Sequence, residues 1–137
     1  MLELNPIVGL EGADKVFWGA ILMRKLGIHT VGVDQGDLVL FSDFEDDGEM
    51  WTGEGPRLTR HHVRFAESYL AAPVVHVSLS MWDISNGANN RADVQAERID
   101  RDGFDIVFRT WGDTRVARVR VAWFSVGALR NDDNWDI

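Results

Sequence analysis

The residues best suited to chemistry in this chain begin with a cluster of carboxylates. Six acidic side chains and no basic one fall within residues 43–54. Four of them follow the ligand spacing of a calcium-binding EF-hand loop, apart from a Glu at its third position: Asp43, Glu45, Asp47 and Glu54. An EF-hand needs a helix on each side, whereas the residues before this window are patterned as a strand. The window is therefore either a calcium site in an unusual setting or a solvated acidic loop.

Groups that could catalyse a reaction are sparse. Asp46 and Glu54 could act as the paired carboxyl groups of a glycoside hydrolase, but any acidic loop supplies such a pair. His61 and His62 are adjacent on a predicted strand, so their side chains point to opposite faces and cannot ligate one metal. His76 falls on the polar face of another predicted strand, which is typical of a surface or interface residue. With no cysteine, phosphate-binding glycine loop or zinc-binding helix motif, we predict that the protein is not an enzyme.

The distribution of charge bears on possible partners. The 137-residue chain has a formal net charge of −8, and residues 43–54 carry six of its acidic groups. Residues 55–129 hold ten arginines and eight acidic residues, a balance of +2. Binding to a nucleic-acid backbone depends on Lys and Arg that neutralise phosphates, so the acidic excess argues against nucleic acid as a partner. The length suits one domain, and the absence of cysteine excludes disulfides and thiol chemistry.

The N-terminal residues 1–32 differ in composition from the remainder. Val16–Met23 is an apolar run inside a stretch of helix-forming composition, 13–26, that ends before Gly27. This run is too short to span a bilayer, which takes about twenty residues. Arg24 and Lys25 follow the run instead of preceding it, so no signal peptide is visible. The segment is predicted to be a helix packed on the domain or an element that docks to a partner or an oligomer.

After Gly32 the apolar residues recur with period two, which is typical of strands with one buried face. Phe104, Ile106 and Phe108, for example, share one face, and the Asp102-Gly103 pair before them is a hairpin signal. Six segments have the pattern: 37–42, 61–65, 74–81, 91–99, 104–110 and 115–126. Short strands without alternating helices predict an all-β fold, an antiparallel sandwich or barrel.

From about Gly36 to Gly127, the order of short motifs resembles the H-type lectin domain family. The motifs are Val63-Arg64-Phe65, Pro73-Val74-Val75, Val77-Ser78-Leu79, Asp83, Asn89 with Arg91, Gly103-Phe104, Thr110-Trp111, Thr114 and Trp123. Spacing carries much of the resemblance, because Trp111 follows Arg91 by twenty residues, as in the family. The resemblance implies a six-stranded antiparallel β-sandwich, here at 33–128, that forms a homotrimer with sugar sites between protomers. It leaves 1–32 as a helical or docking segment and 129–137 as an acidic tail.

The resemblance also assigns carbohydrate-binding residues. In the family, the residue that corresponds to Arg91 hydrogen-bonds the ligand and the one that corresponds to Trp111 lines the pocket. These types suit a sugar, whose weakly apolar C–H face packs on an aromatic ring while its hydroxyls meet fixed polar groups. Structural roles are the alternatives: Arg91 could pair with Asp93 or Glu97 on the surface, and Trp111 could pack at a strand end.

The chain departs from the family just after this tryptophan. The best-known members, from snails, use a His there, whereas Gly112 offers no side chain, so the resemblance does not extend to galactosamine specificity. Asp113 could supply the lost polar contact or simply form the turn. In the family an acidic residue of the neighbouring subunit completes the site. Its position here falls on Glu54, with three alternatives nearby: Ser42, Asp43 and Asp47.

These features predict a lectin that recognises cell-surface or polysaccharide glycans through an inter-protomer site and gains avidity by oligomerisation. No cofactor is implied other than the calcium considered for residues 43–54. The alternative is a structural or adhesion component, such as the spike or fibre of a phage-like particle, docked by its N-terminal segment. Either function would place the domain on an outward-facing or particle surface.

Overall fold

The computed structural model describes residues 23–27 and 30–131. Over these residues the regular structure consists of six strands and two one-turn helices: β1 (Thr30–Phe41), α1 (Asp43–Asp46), α2 (Glu49–Thr52), β2 (Arg57–Arg64), β3 (Val74–Ile84), β4 (Asp93–Glu97), β5 (Gly103–Thr110) and β6 (Val116–Leu129). The helix predicted at 13–26 lies outside the described residues, apart from Met23–Leu26, which form no regular structure. Most of the acidic tail also lies outside them. None of the described helices is long and apolar enough to cross a membrane.

The six strands form two antiparallel sheets of three, in the orders β1-β6-β3 and β2-β5-β4. The all-β, six-stranded sandwich predicted from the sequence is therefore confirmed. The Asp102-Gly103 hairpin is confirmed as well, because β4 and β5 pair as neighbours with Glu97 opposite Asp105.

The first strand is longer than its sequence pattern predicts. It begins at Thr30 instead of residue 37 and pairs with β6 along its whole length, from Thr30 opposite Leu129 to Phe41 opposite Val119. Gly32 and Gly36 interrupt the apolar alternation, which hides the first half of the strand. Both face the core at points of close contact: a Cβ at Gly32 would lie 2.5 Å from the Leu129 side chain, and one at Gly36 would lie 2.9 Å from Trp123. Tertiary pairing here outweighs the low strand propensity of glycine.

The core lies between the two sheets. As predicted, Phe104, Ile106 and Phe108 of β5 are fully buried. The first two pack with Val121 and Trp123 of β6, and Phe108 packs with Val116 and Val119. The rings of Phe104 and Trp123 pack edge to face, with centroids 5.3 Å apart. Since such aromatic pairs add to the stability gained from area burial, the two central strands hold the sheets together.

Three loops that connect one sheet to the other lie at the same end of the sandwich. They are residues 42–56 from β1 to β2, residues 85–92 from β3 to β4, and residues 111–115 from β5 to β6. The strand register places them together, because Arg57 is opposite Thr110 and Asp93 is opposite Arg109. We call this the loop end. The opposite end carries the β4–β5 hairpin and residues 65–73.

The outer face of the β1-β6-β3 sheet is unusually apolar. Five of the eleven large apolar side chains that are exposed among the described residues lie on it: Val31, Val33, Val39, Val74 and Phe124. Four of them lie close together in the register, because Val126 is opposite both Val33 and Val74, whereas Asp37 separates Val39 from this patch. An exposed apolar patch of this kind commonly marks an interaction surface.

Candidate functional site

The candidate site is built at the loop end around Arg91. Its Nη1 donates hydrogen bonds to Oδ1 of Asp113 at 2.8 Å and to Oγ1 of Thr114 at 3.0 Å. Thr114 is fully buried, and its hydroxyl donates to the carbonyl of Asn89 at 2.5 Å. The hydroxyl of Thr110 in turn donates to the carbonyl of Arg91 at 2.6 Å. These contacts fix the guanidinium and join the 85–92 loop to the 111–115 loop.

The ionic partner of Arg91 differs from the two structural alternatives, Asp93 and Glu97. Both of those carboxylates contact Arg109, at 3.8 Å and 2.9 Å respectively. Arg91 contacts Asp113 instead, and its hydrogen bond holds the pKa of Asp113 below the usual value. Asp113 is therefore charged at neutral pH and helps to orient the arginine.

Gly112 has a structural role in the site. Its φ of 69° lies in the left-handed region, and a Cβ there would lie 2.8 Å from Nη1 and 2.9 Å from Cζ of Arg91. Glycine thus lets the guanidinium pack directly on the backbone of the turn. The residue that replaces the family's His contributes no side chain of its own, but it decides where Arg91 lies.

Trp111 follows β5 immediately and is 45% exposed. Packing at the strand end therefore covers only about half of its side chain. Trp111 directly precedes Gly112, so its backbone enters the turn that holds Arg91. The structure thus brings together four residues predicted for the site: Arg91, Trp111, Gly112 and Asp113.

Glu54 is exposed and lies beside the same loop of its own chain. The amide of the next residue, Gly55, donates to the carbonyl of Gly112 at 2.9 Å. The backbone around Glu54 is therefore held at the loop end.

Arg57 is a site-supporting residue that the sequence reasoning missed. Its side chain is 5% exposed and donates to the carbonyls of Gly55 at 2.9 Å, Met50 at 3.2 Å and Gly112 at 3.1 Å. It therefore ties the end of α2 to the turn at Gly112. A lone arginine at the start of a strand gives no sequence signal of burial, since its partners come from distant parts of the chain.

The acidic window forms two one-turn helices within the 42–56 loop, and most of its carboxylates are exposed. The carboxylate of Asp43 accepts a hydrogen bond from the amide of Met50 at 3.0 Å, which caps α2, and Asp47 ends α1 in the left-handed conformation. Met50 is 1% exposed and packs against Phe108, so it anchors the segment to the core. A single buried methionine gives too weak a pattern to predict these one-turn helices.

The calcium interpretation does not fit this arrangement. Asp43 is engaged in capping α2, and in residues 23–27 and 30–131 no three carboxylate or histidine side chains converge as metal ligands. The four residues considered for calcium therefore do not assemble into a site: Asp43, Glu45, Asp47 and Glu54. Ser42 was an alternative for the acidic position; its hydroxyl is buried and has no hydrogen-bond partner among the described residues.

The histidines predicted on strands lie apart from this site. Nδ1 of His62 is 2.8 Å from Oδ1 of Asp105 on the outer face of the β2-β5-β4 sheet. This hydrogen bond is the main reason that the pKa of Asp105 lies below its usual value. His76 is exposed and packs against Phe124, with ring centroids 5.4 Å apart. Its position on a strand surface agrees with the sequence prediction.

Comparison with known proteins gives the family. The model of the H-type lectin domain matches residues 60–126. The chain is 53% identical over 115 residues to "ATP synthase subunits region ORF 7" of Fuscovulum blasticum, which covers 84% of this chain and 99% of that protein. It is 31% identical over 71 residues to discoidin-2 of Dictyostelium discoideum, which covers 51% of this chain but only 28% of that protein.

The fold has the same relatives. Recombinant discoidin II of Dictyostelium discoideum superposes with a TM-score of 0.65 at 22% identity, covering 77% of this chain and 40% of that chain. The wild-type discoidin II structure gives a TM-score of 0.63 at 24% identity. The chain thus spans less than half the length of the discoidins that it matches. With the six-stranded sandwich and the matched motifs on the same residues, the chain belongs to the H-type lectin domain family, through a domain matched over residues 60–126.

Proposed function

We propose that the protein is a carbohydrate-binding lectin that recognises cell-surface or polysaccharide glycans through the residues around Arg91 and Trp111. The observation that carries the proposal is an immobilised guanidinium, held by the turn that directly follows the exposed residue Trp111. The family and the discoidin-like fold support a binding function in place of an enzymatic one.

The arrangement suits the two kinds of surface on a sugar ring. The exposed part of Trp111 offers an apolar plane for the C–H face. Nη1 of Arg91 is engaged by Asp113 and Thr114, whereas its Nε and Nη2 donate to no protein group among the described residues. A guanidinium has five N–H groups, so those on Nε and Nη2 can meet ligand hydroxyls without disturbing the contacts that hold it.

A homotrimer with sites between protomers is the assembly that we propose for this lectin. The apolar outer face of the β1-β6-β3 sheet supports association. Three strands spaced about 4.8 Å apart and roughly 40 Å long give a flat area of roughly 500–600 Å², and side-chain relief increases it. That approaches the roughly 800 Å² per partner of a stable interface. Association through this face would bring several copies of one weak binding site together, which increases the avidity of the assembly.

Glycan binding is tested by an array of cell-surface and polysaccharide glycans probed with the wild type and two variants, Trp111→Ala and Arg91→Ala. Leu70→Ala is the matched control, because Leu70 is also 45% exposed but lies at the opposite end, where its amide donates to Ala128. Binding should be lost in the two site variants and kept in the control. Full retention in both site variants contradicts the assigned site, and no binding of the wild type to any glycan contradicts the function.

A further inference from the structure

A second aromatic surface lies at the loop end and is not part of the Arg91 site. Phe44 of α1 is 58% exposed, and its ring packs edge to face on Trp51 of α2 with centroids 5.4 Å apart. The guanidinium of Arg115 lies over the Trp51 ring, 4.4 Å from its centroid. An exposed phenylalanine on a one-turn helix does not stabilise the core, so its placement calls for another explanation.

This aromatic pair is joined to the candidate site through the 111–115 loop. Arg115 lies four residues after Trp111, and its Nε donates to the carbonyl of Trp51 at 2.8 Å. Arg57 makes a second connection, since it bonds both the carbonyl of Met50 in α2 and that of Gly112. The orientation of Trp51 is thus set by the same loop that carries Trp111 and Asp113.

The strand order indicates how far the Phe44–Trp51 pair lies from the Arg91 site. In the β2-β5-β4 sheet, β5 is the central strand. The 111–115 loop that follows β5 therefore lies between residues 42–56, which lead into β2, and residues 85–92, which lead into β4. With strands about 4.8 Å apart, the loop end is roughly 10 Å wide from β2 to β4. A single sugar ring cannot reach both flanks, but a short oligosaccharide can.

The negative charge of residues 43–54 restricts the kinds of carbohydrate that can bind there. This segment has six carboxylates and no basic residue, so the approach to Phe44 is strongly acidic. The three arginines at this end offset only part of that charge: Arg91 pairs with Asp113, whereas Arg57 and Arg115 contact neutral groups. An anionic chain would be repelled by this field, whereas a neutral or amino-sugar chain would not.

We propose that Phe44 and Trp51 form a second subsite of the lectin, which contacts further sugar units of a neutral or amino-sugar oligosaccharide whose first unit lies at Trp111 and Arg91. This inference rests on the proposed function and specifies its ligand class. In this proposal, the carboxylates of residues 43–54 select against chains that contain uronic or sialic acids.

The test uses the full chain and isothermal titration with mono- to hexasaccharides. The neutral and amino-sugar probes are galacto-, manno-, gluco- and chito-oligosaccharides, and the anionic probes are oligogalacturonates and oligosialic acids. For the best-bound neutral or amino-sugar series, affinity should rise at least tenfold from monosaccharide to hexasaccharide. Phe44→Ala should abolish most of that rise without changing monosaccharide affinity, Phe44→Tyr should restore it, and Leu70→Ala should leave the whole series unchanged.

A second arm addresses charge. Neutralising three exposed carboxylates of residues 43–54, with Glu45→Gln, Asp46→Asn and Glu49→Gln, should increase affinity for anionic chains severalfold and leave neutral chains unaffected. Glu67→Gln, exposed and at the opposite end of the sandwich, is the charge control.

The outcomes separate this inference from the proposed function. Binding that depends on Trp111 but is equal for all chain lengths, or is unchanged in Phe44→Ala, overturns the second subsite and leaves the lectin function standing. Preference of the wild type for anionic chains overturns the ligand class. Absence of binding to every probe overturns the function and the inference together.

Discussion

Nη1 of Arg91 lies 2.8 Å from Oδ1 of Asp113, across a turn in which Gly112 has a φ of 69°. This ion pair joins the 85–92 loop to the 111–115 loop. It therefore holds the two loops together as well as balancing the charge of Arg91.

Gly112→Ala should destabilise the domain and weaken glycan binding. The left-handed backbone costs roughly 1–3 kcal/mol for a residue with a side chain, and the new methyl group would displace the Arg91 guanidinium. Gly55→Ala is the matched control, because Gly55 has a φ of 76° and its Cβ would meet no atom within 4 Å. Urea denaturation and glycan titration measure both. If Gly55→Ala weakens glycan binding as much as Gly112→Ala does, contact with Arg91 is not the reason.

Arg57→Met should cost roughly 2–4 kcal/mol of unfolding free energy, because it leaves buried carbonyls without charged donors. Arg57→Lys should recover only part of that loss, since an ammonium cannot reproduce the planar fork that reaches Gly55, Met50 and Gly112. Arg64→Met, exposed at the other end of the same strand, is the control and should change stability by less than about 0.5 kcal/mol. Equal effects at positions 57 and 64 would argue against a supporting role for Arg57.

Stability should fall in acid through Asp105. Its pKa is lowered in the folded state, chiefly by the His62 hydrogen bond and also by Arg60. The unfolded carboxyl has a pKa of about 3.9, so the contribution is fully present above that pH and is lost as pH falls towards the folded-state pKa. Asp105→Asn should be less stable at pH 7 and should show a shallower decline below about pH 4. Urea midpoints from pH 2.5 to 7 measure this, and Glu67→Gln is an exposed control. Parallel curves for wild type and Asp105→Asn would refute the assignment.

Val33→Glu should convert the proposed homotrimer to a monomer. Val33 is 68% exposed at the proposed interface, and a charge buried there would have no partner. Leu58→Glu places the same charge on the outer face of the other sheet and should leave the mass unchanged. Sedimentation equilibrium gives the mass of each. A monomeric wild type, or a Val33→Glu variant that keeps its mass, would exclude this interface.

Much of the fold could be predicted from the sequence because one-sided burial leaves a period-two pattern. Phe104, Ile106 and Phe108 show it clearly, and their strand has the predicted position. The first half of β1 could not be predicted, since Gly32 and Gly36 are required by close contacts with Leu129 and Trp123 that only the folded chain brings about.

The site was predictable only in its residue types. Arg91 and Trp111 could be identified through the resemblance, but the role of Gly112 depends on a backbone angle and on the distance to a guanidinium. Arg57 could not be found at all, because its burial is produced by carbonyls from α2 and from the 111–115 loop. Interactions between distant segments, and not local pattern, build this end of the molecule.

Thr30 and Leu129 are paired neighbours at the end of the sandwich away from the loops. The polypeptide therefore enters and leaves the domain at one point, on the side opposite Trp111. Attachment to another domain, a particle or a solid support before β1 or after β6 would leave the loop end facing away from the point of attachment. Fusions at either position should be compatible with display of the site, whereas insertions at 85–92 or 111–115 should not.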